Sequence, residues 1–263
     1  MAGFFDSSRP LRIIQVIQIY ASRSFPINGT GHGLIEALRL IFTGDAALLE
    51  IVSLSLRVSG IALLFSTLIG VPLGAALGLG RFVGRKLIVA FMYTGMGFPP
   101  VVIGLIVYLL LSRSGPLGSL NSPVVPTLFT PGAMVIAQSI IAFPLVAGFT
   151  MAAVMGVDAG LRQQVRALGA TTWQTTLTVL AEARVGVIVS IIAGFGGIIS
   201  EVGAVMLVGG NIDGRTRVLT TAIVLETRQG NFDLALALGA ILLAITFIIN
   251  VAMLRMQGKT LDE

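Results

Sequence analysis

The side chains able to do chemistry are few, and their types exclude more than they suggest. The chain of 263 residues has no cysteine and one histidine, so it offers no thiol nucleophile, no thiolate metal site and no histidine cluster. No Gly-x-x-x-x-Gly-Lys-Ser/Thr phosphate loop and no nucleophile–base pair occurs, so the chain is not expected to be an enzyme and no cofactor is implied. Two places gather polar groups. Residues 209–227 hold Asn211, Thr216, Arg217, Thr220 and Thr221, with glycines beside them that leave backbone N–H groups accessible. Glu201 stands in an apolar run, where a charged side chain costs about 2.5–3.5 kcal/mol on insertion scales unless it is paired or near water. Its expected role is structural, paired with an arginine such as Arg57 or Arg217.

The composition shows what medium the supporting elements occupy. Hydrophobic residues make up 55% of the chain, charged residues 11%, and the mean hydropathy is +0.97. A soluble domain carries about a quarter of its residues charged, and a disordered chain is more polar still. The composition is that of an integral membrane protein, and the net charge of +5 reads as topology rather than as a nucleic-acid footprint.

Crossing a bilayer takes about 20 mostly apolar residues in a helix. Five stretches qualify: 51–79 (the spanning part 58–79, because Arg57 lies near its start), 87–111, 133–155, 185–208 and 234–254. Runs of this length satisfy their own backbone as helices, giving an all-α polytopic bundle. Lys and Arg fall eight to one side (Arg81, Arg85, Lys86, Arg162, Arg166, Arg184, Arg255, Lys259) and four to the other (Arg113, Arg215, Arg217, Arg228). The richer side should be cytoplasmic, with the C-terminus inside and the N-terminus outside. The N-terminal region, with Arg9, Arg12, Arg23 and Arg39, stands apart from this count; 11–21 is too short to span, and 33–49 has the spacing of an interfacial amphipathic helix. The expected organisation is an N-terminal extension (1–47), a membrane domain (48–255) and a cytoplasmic tail (256–263).

Pro72, Pro99, Pro100 and Pro144 fall inside the spans, and such breaks survive in lipid only beside packed neighbours or a watery cavity. Gly70, Gly74 and Gly78 suit close helix approach. The loop 157–184 is long and polar. Asp158 can cap a short helix bearing Leu161, Val165 and Leu168; Gly169 permits a sharp turn; a second helix follows with Trp173, Leu177 and Leu180 on one face. An apolar face at a cytoplasmic surface suggests a docking element, the alternative being a loop folded back on its own helices.

Arg166-Ala167-Leu168-Gly169-Ala170 followed by Trp173 resembles the coupling loop of type I ABC importer permeases, although Gln163-Gln164-Val165 stands where that family has Glu-Ala-Ala. Ser112 to Gly118, Leu128-Phe129-Thr130-Pro131, Ala137-Gln138, Ser200-Glu201-Val202-Gly203-Ala204, Val208 to Ile212, Arg215-Thr216-Arg217, Thr220 to Ile223 and Glu226-Thr227 are similar to the tungstate-type members of the molybdate/tungstate/sulfate group. Gly197 departs from that subgroup, where an arginine is expected. The resemblance runs from about residue 36 to 250.

The resemblance implies the type I importer permease fold, a homodimer with its pathway on the two-fold axis, a separate cytoplasmic ATPase that receives the loop, and an extracytoplasmic oxyanion-binding protein. It implies tungstate as cargo, with molybdate or sulfate as alternatives. A tetrahedral oxyanion needs donors without a deep trap. Asn211, Thr216, Arg217, Thr220 and Thr221 are the candidates for lining an outer gate, the alternative being that the arginines contact lipid headgroups or the partner protein. Two other classes remain: a self-contained secondary transporter, which would show inverted repeats, and a membrane scaffold, which would need neither broken helices nor a docking loop.

Overall fold

A computed structural model describes residues 46–120 and 122–255. Among the described residues every regular element is helical. In chain order these are α1 (Ala46–Leu79), α2 (Arg85–Met96), α3 (Pro100–Leu111), a short 3-10 turn (Gly118–Leu120), α4 (Pro131–Met155), α5 (Ala159–Ala167), α6 (Thr172–Glu182), α7 (Arg184–Ile199), α8 (Gly203–Gly209), α9 (Leu219–Gln229) and α10 (Phe232–Arg255). The extension before residue 46 and the tail 256–263 lie outside the described residues, as does most of the interfacial helix expected over 33–49. The last residues of that stretch, Ala46 to Leu49, open α1.

Helices α1, α4 and α10 are long and apolar enough to cross a bilayer alone, and five spans result when the bent pairs α2–α3 and α6–α7 each count as one. The expected second span is therefore not straight. It turns by 103° at residues 97–99, where Pro99 is held extended and Pro100 opens α3 with no N–H to lose. The expected fourth span, 185–208, is also corrected: α7 stops at Ile199, and α8 starts afresh at Gly203. Pro72 and Pro144, in contrast, sit inside continuous helices.

Helix α4 is the centre of the bundle, with Met134, Val146, Met151 and Val154 fully buried. It runs parallel to α1, because Gly70 meets Val146 and Ala147, Gly74 meets Ala147, Thr150 and Met151, and Gly78 meets Met151 and Val154. A Cβ at Gly74 would come 2.4 Å from the Ala147 carbonyl oxygen, so only glycine allows this approach. Helix α7 packs antiparallel to α4, with Gly186 beside Ala153 and Gly194 beside Val146. Hydroxyls bond across these seams: Ser66 Oγ donates to the Ser139 carbonyl at 3.0 Å, and the fully buried Thr150 and Ser190 hydroxyls lie 2.9 Å apart. In lipid such bonds are worth about 0.6 kcal/mol each.

Candidate functional site

The loop after α4 forms the two short helices its sequence predicts. The Asp158 side chain accepts from the Gly160 N–H at 3.1 Å and caps α5. Gly169 has φ +86°, in the left-handed region that glycine adopts without strain, and there the chain reverses. Thr171 and Gln174 form a capping box that starts α6.

Helix α6 then has two faces. Thr175 and Val179 turn inward, Val179 joining Ala75, Val154 and Ala183 in a buried cluster. Trp173 and Leu177, also four residues apart, face outward, and Trp173 is 68% exposed. Leu168 at the turn is 88% exposed, Arg166 is exposed beside it, and Ala170 is half-buried. The Arg162 guanidinium donates to the Val154 carbonyl and so ties α5 to the last turn of α4. The loop is thus held rigidly from behind and presents an apolar tip in front.

At the other end of the bundle, the five gate candidates fall in one segment, residues 200–218 and the first turn of α9. Helix α8 ends at Gly210 (φ +74°), and Asn211 (φ +52°) and Gly214 (φ +63°) continue the turn. The N–H groups of Arg215, Thr216 and Arg217 converge on the Ile212 carbonyl at 3.2, 2.9 and 3.0 Å. Thr216, fully buried, donates to the Gly209 carbonyl at 2.6 Å and accepts from the Ile212 N–H at 2.9 Å. The buried Thr221 hydroxyl bonds the Val218 backbone and starts α9, and Thr220 Oγ1 donates to the Glu201 carbonyl at 3.0 Å. Three of the five side chains therefore shape the segment rather than offer free donors.

Asn211 and Arg217 differ from those three, because both are half-buried and each keeps a side-chain atom without a partner, Asn211 Oδ1 and Arg217 Nε. Arg217 Nη1 pairs with Asp213 at 2.8 Å, so it does not serve Glu201. The expected Glu201–arginine pair is not formed among the described residues. The Glu201 carboxylate instead accepts from the Ala204 N–H at 2.9 Å and caps the first turn of α8. It lies in the break between two helices rather than inside a span, and free N–H groups at a helix N-terminus can stabilise a carboxylate as a cation would.

Sequence reasoning gave no role to three buried polar residues behind this segment, Ser55 and Ser59 on α1 and Gln138 on α4. The Gln138 amide donates to the Ile198 carbonyl at 3.0 Å and accepts from Ser59 Oγ at 3.2 Å, while Ser55 Oγ accepts from the Leu219 N–H at 2.9 Å. Their signal was the burial of polar side chains within apolar spans, visible only once the helices are packed.

Residues 70–259 match the model of the family described as binding-protein-dependent transport system inner membrane component. The chain belongs to that family. It is 43% identical over 218 residues to a "Probable anion ABC transporter permease protein" of Haloferax volcanii, covering 81% of this chain and 92% of that protein. It is 36% identical to the tungstate uptake system permease protein TupB of Peptoclostridium acidaminophilum, over 86% of this chain and 97% of that one. A solved bacterial alginate ABC transporter, in complex with its alginate-bound periplasmic protein, shares the fold at a TM-score of 0.66 and 19% identity, covering 96% of this chain and 95% of that chain. The type I importer permease fold is thus present, and membership in a binding-protein-dependent transport family sets aside the secondary-transporter and scaffold readings.

Proposed function

We propose that the chain is the membrane-spanning subunit of an ATP-driven importer that carries a tetrahedral oxyanion, tungstate, across the plasma membrane. The observation that carries this reading is 36% identity to a tungstate uptake permease over 86% of this chain and 97% of that one, in a chain whose outer turn holds a half-buried arginine, Arg217. The exposed tip of Leu168, Gly169 and Trp173, with Arg166 and Ala170, is the docking element for a separate ATPase subunit, because this sequence has no phosphate loop of its own. An extracytoplasmic binding protein delivers the anion to the 200–218 segment, which acts as the outer gate. Two copies form the pathway at their two-fold axis. The ends of α1 and α4 that carry Arg81, Arg85, Lys86 and the α5–α6 loop face the cytoplasm, which leaves the N-terminus outside and the C-terminus inside.

At the gate, weak and distributed donors suit a passing dianion better than a deep site, which would hold it. Arg217 is paired with Asp213, so its guanidinium supplies positive potential there without a full unpaired charge. The test is tungstate accumulation in cells with and without this chain, with excess molybdate or sulfate as competitor. Loss of accumulation in the deletion, competition by molybdate and weak competition by sulfate are expected. Unchanged tungstate accumulation in the deletion would overturn the assignment.

A further inference from the structure

The three buried polar residues behind the candidate gate have a geometry that goes beyond their own satisfaction. The segment 199–218 joins the end of α7 to the start of α9, with α8 packed in the core against α3 and α4, and each foot exposes a backbone group that its helix cannot satisfy. At the outgoing foot this is the Ile198 carbonyl, which accepts from the Gln138 amide at 3.0 Å as well as from the Glu201 N–H at 3.2 Å. At the returning foot it is the Leu219 N–H, which donates to Ser55 Oγ at 2.9 Å. Ser59 lies between them, one helical turn from Ser55, and its hydroxyl donates to Gln138 Oε1 at 3.2 Å. Ser55 completes its own set by donating to the Ile51 carbonyl at 2.7 Å. One strip on α1 and α4 thus holds both ends of the excursion.

We propose that Ser55, Ser59 and Gln138 are positioning residues that form the seat of the outer gate, fixing where segment 199–218 rests against the bundle and so how it opens. The inference rests on the reading of that segment as the gate. All three side chains are at least 96% buried, at 4%, 2% and 4% exposure, and there hydrogen bonds give direction that packing alone does not. A cavity of about 10 Å³, lined by apolar side chains as well as by Ser55, Ser59, Gln138 and Thr220, adjoins the seat and has room for about one water molecule.

The chain has no cysteine, so single cysteines report position without background. Val208 in α8 and Val179 in α6 are both fully buried, the first in the gate segment and the second near the cytoplasmic end. Val208→Cys and Val179→Cys are placed separately in the complete importer, and maleimide labelling is followed with and without Gln138→Leu. Labelling at position 208 is expected to rise about threefold to fivefold, the effect of losing the one bond from Gln138 to the segment, with labelling at 179 unchanged. Maximal uptake falls, while the concentration for half-maximal uptake stays. Ser59→Ala, which leaves the amide in place, gives the same pattern at smaller size and carries the test if Gln138→Leu does not fold. Unchanged labelling at 208, or a parallel rise at 179, overturns the seat. A rise at 208 with uptake at its normal rate supports the seat and overturns the reading of 199–218 as the gate.

Discussion

Gly104→Ala places one methyl group where α3 crosses α8. The new Cβ would lie 2.5 Å from the Ala204 Cα, 3.0 Å from its Cβ and 3.2 Å from its carbonyl oxygen. Carbon atoms rest at about 3.5–4.0 Å, so α8 has to retreat by about 1 Å. That retreat is resisted by the Phe129 N–H bond to the Val208 carbonyl at 2.8 Å and by the buried contacts of Val205 and Val208. Overpacking of this kind costs about 1–3 kcal/mol. Against it stands the gain from replacing a mid-helix glycine by alanine, about 0.5–1 kcal/mol.

Gly239→Ala in α10 isolates the second effect, because nothing lies within 4 Å of its added Cβ. Thermal unfolding of the two purified variants should therefore diverge. Gly239→Ala is expected to melt at or above the parent temperature and Gly104→Ala below it, at about 2–4 °C per kcal/mol for a chain of this size. Transport should be normal in the first and reduced in the second. A Gly104→Ala protein as stable and as active as Gly239→Ala would refute the claim that α8 is held at backbone contact with α3.

Gly74→Leu forces a side chain into the Ala147 carbonyl and the Thr150 Cβ, 2.4 and 2.9 Å from a bare Cβ, and should abolish accumulation of folded protein on size exclusion. Thr150→Val should destabilise by about 1 kcal/mol through its buried partner Ser190, and Ser190→Ala in the same chain should recover part of that loss, giving a coupling near 0.6 kcal/mol in a double-mutant cycle. Trp173→Ala should leave the melting temperature within about 1 °C of the parent, since its side chain is 68% exposed. The same change should remove co-purification of the ATPase subunit and uptake together.

Much of the bundle was legible as apolar length, and the two short helices of the loop after α4 as caps and a glycine. Pro99 and Pro100 marked the bend in the second span because proline has a physical signature that survives without tertiary context. The break at 200–202 has no proline, and Gly194, Gly196 and Gly197 precede it rather than sit in it, so a continuous span was the natural reading of that sequence. Once the break exists, the role of Glu201 follows, because a helix N-terminus offers the N–H groups that an uninterrupted span would not. The donor-rich segment was legible as a cluster but not as a division of labour. Which hydroxyls are committed to backbone depends on Gly209, Ile212 and Val218 folding back to meet them. Ser59 and Gln138 are 79 residues apart, and no local pattern joins them.

In the proposed role the chain conducts a tetrahedral oxyanion inward when a separate ATPase works on it. Reconstituting the chain with that ATPase and the binding protein in proteoliposomes, and measuring tungstate entry, tests this role. ATP-dependent entry that requires the binding protein, and that disappears with Trp173→Ala, is the result predicted. Tungstate entry that proceeds without ATP, or none at all from a complex that hydrolyses ATP and responds to its loaded binding protein, would contradict it.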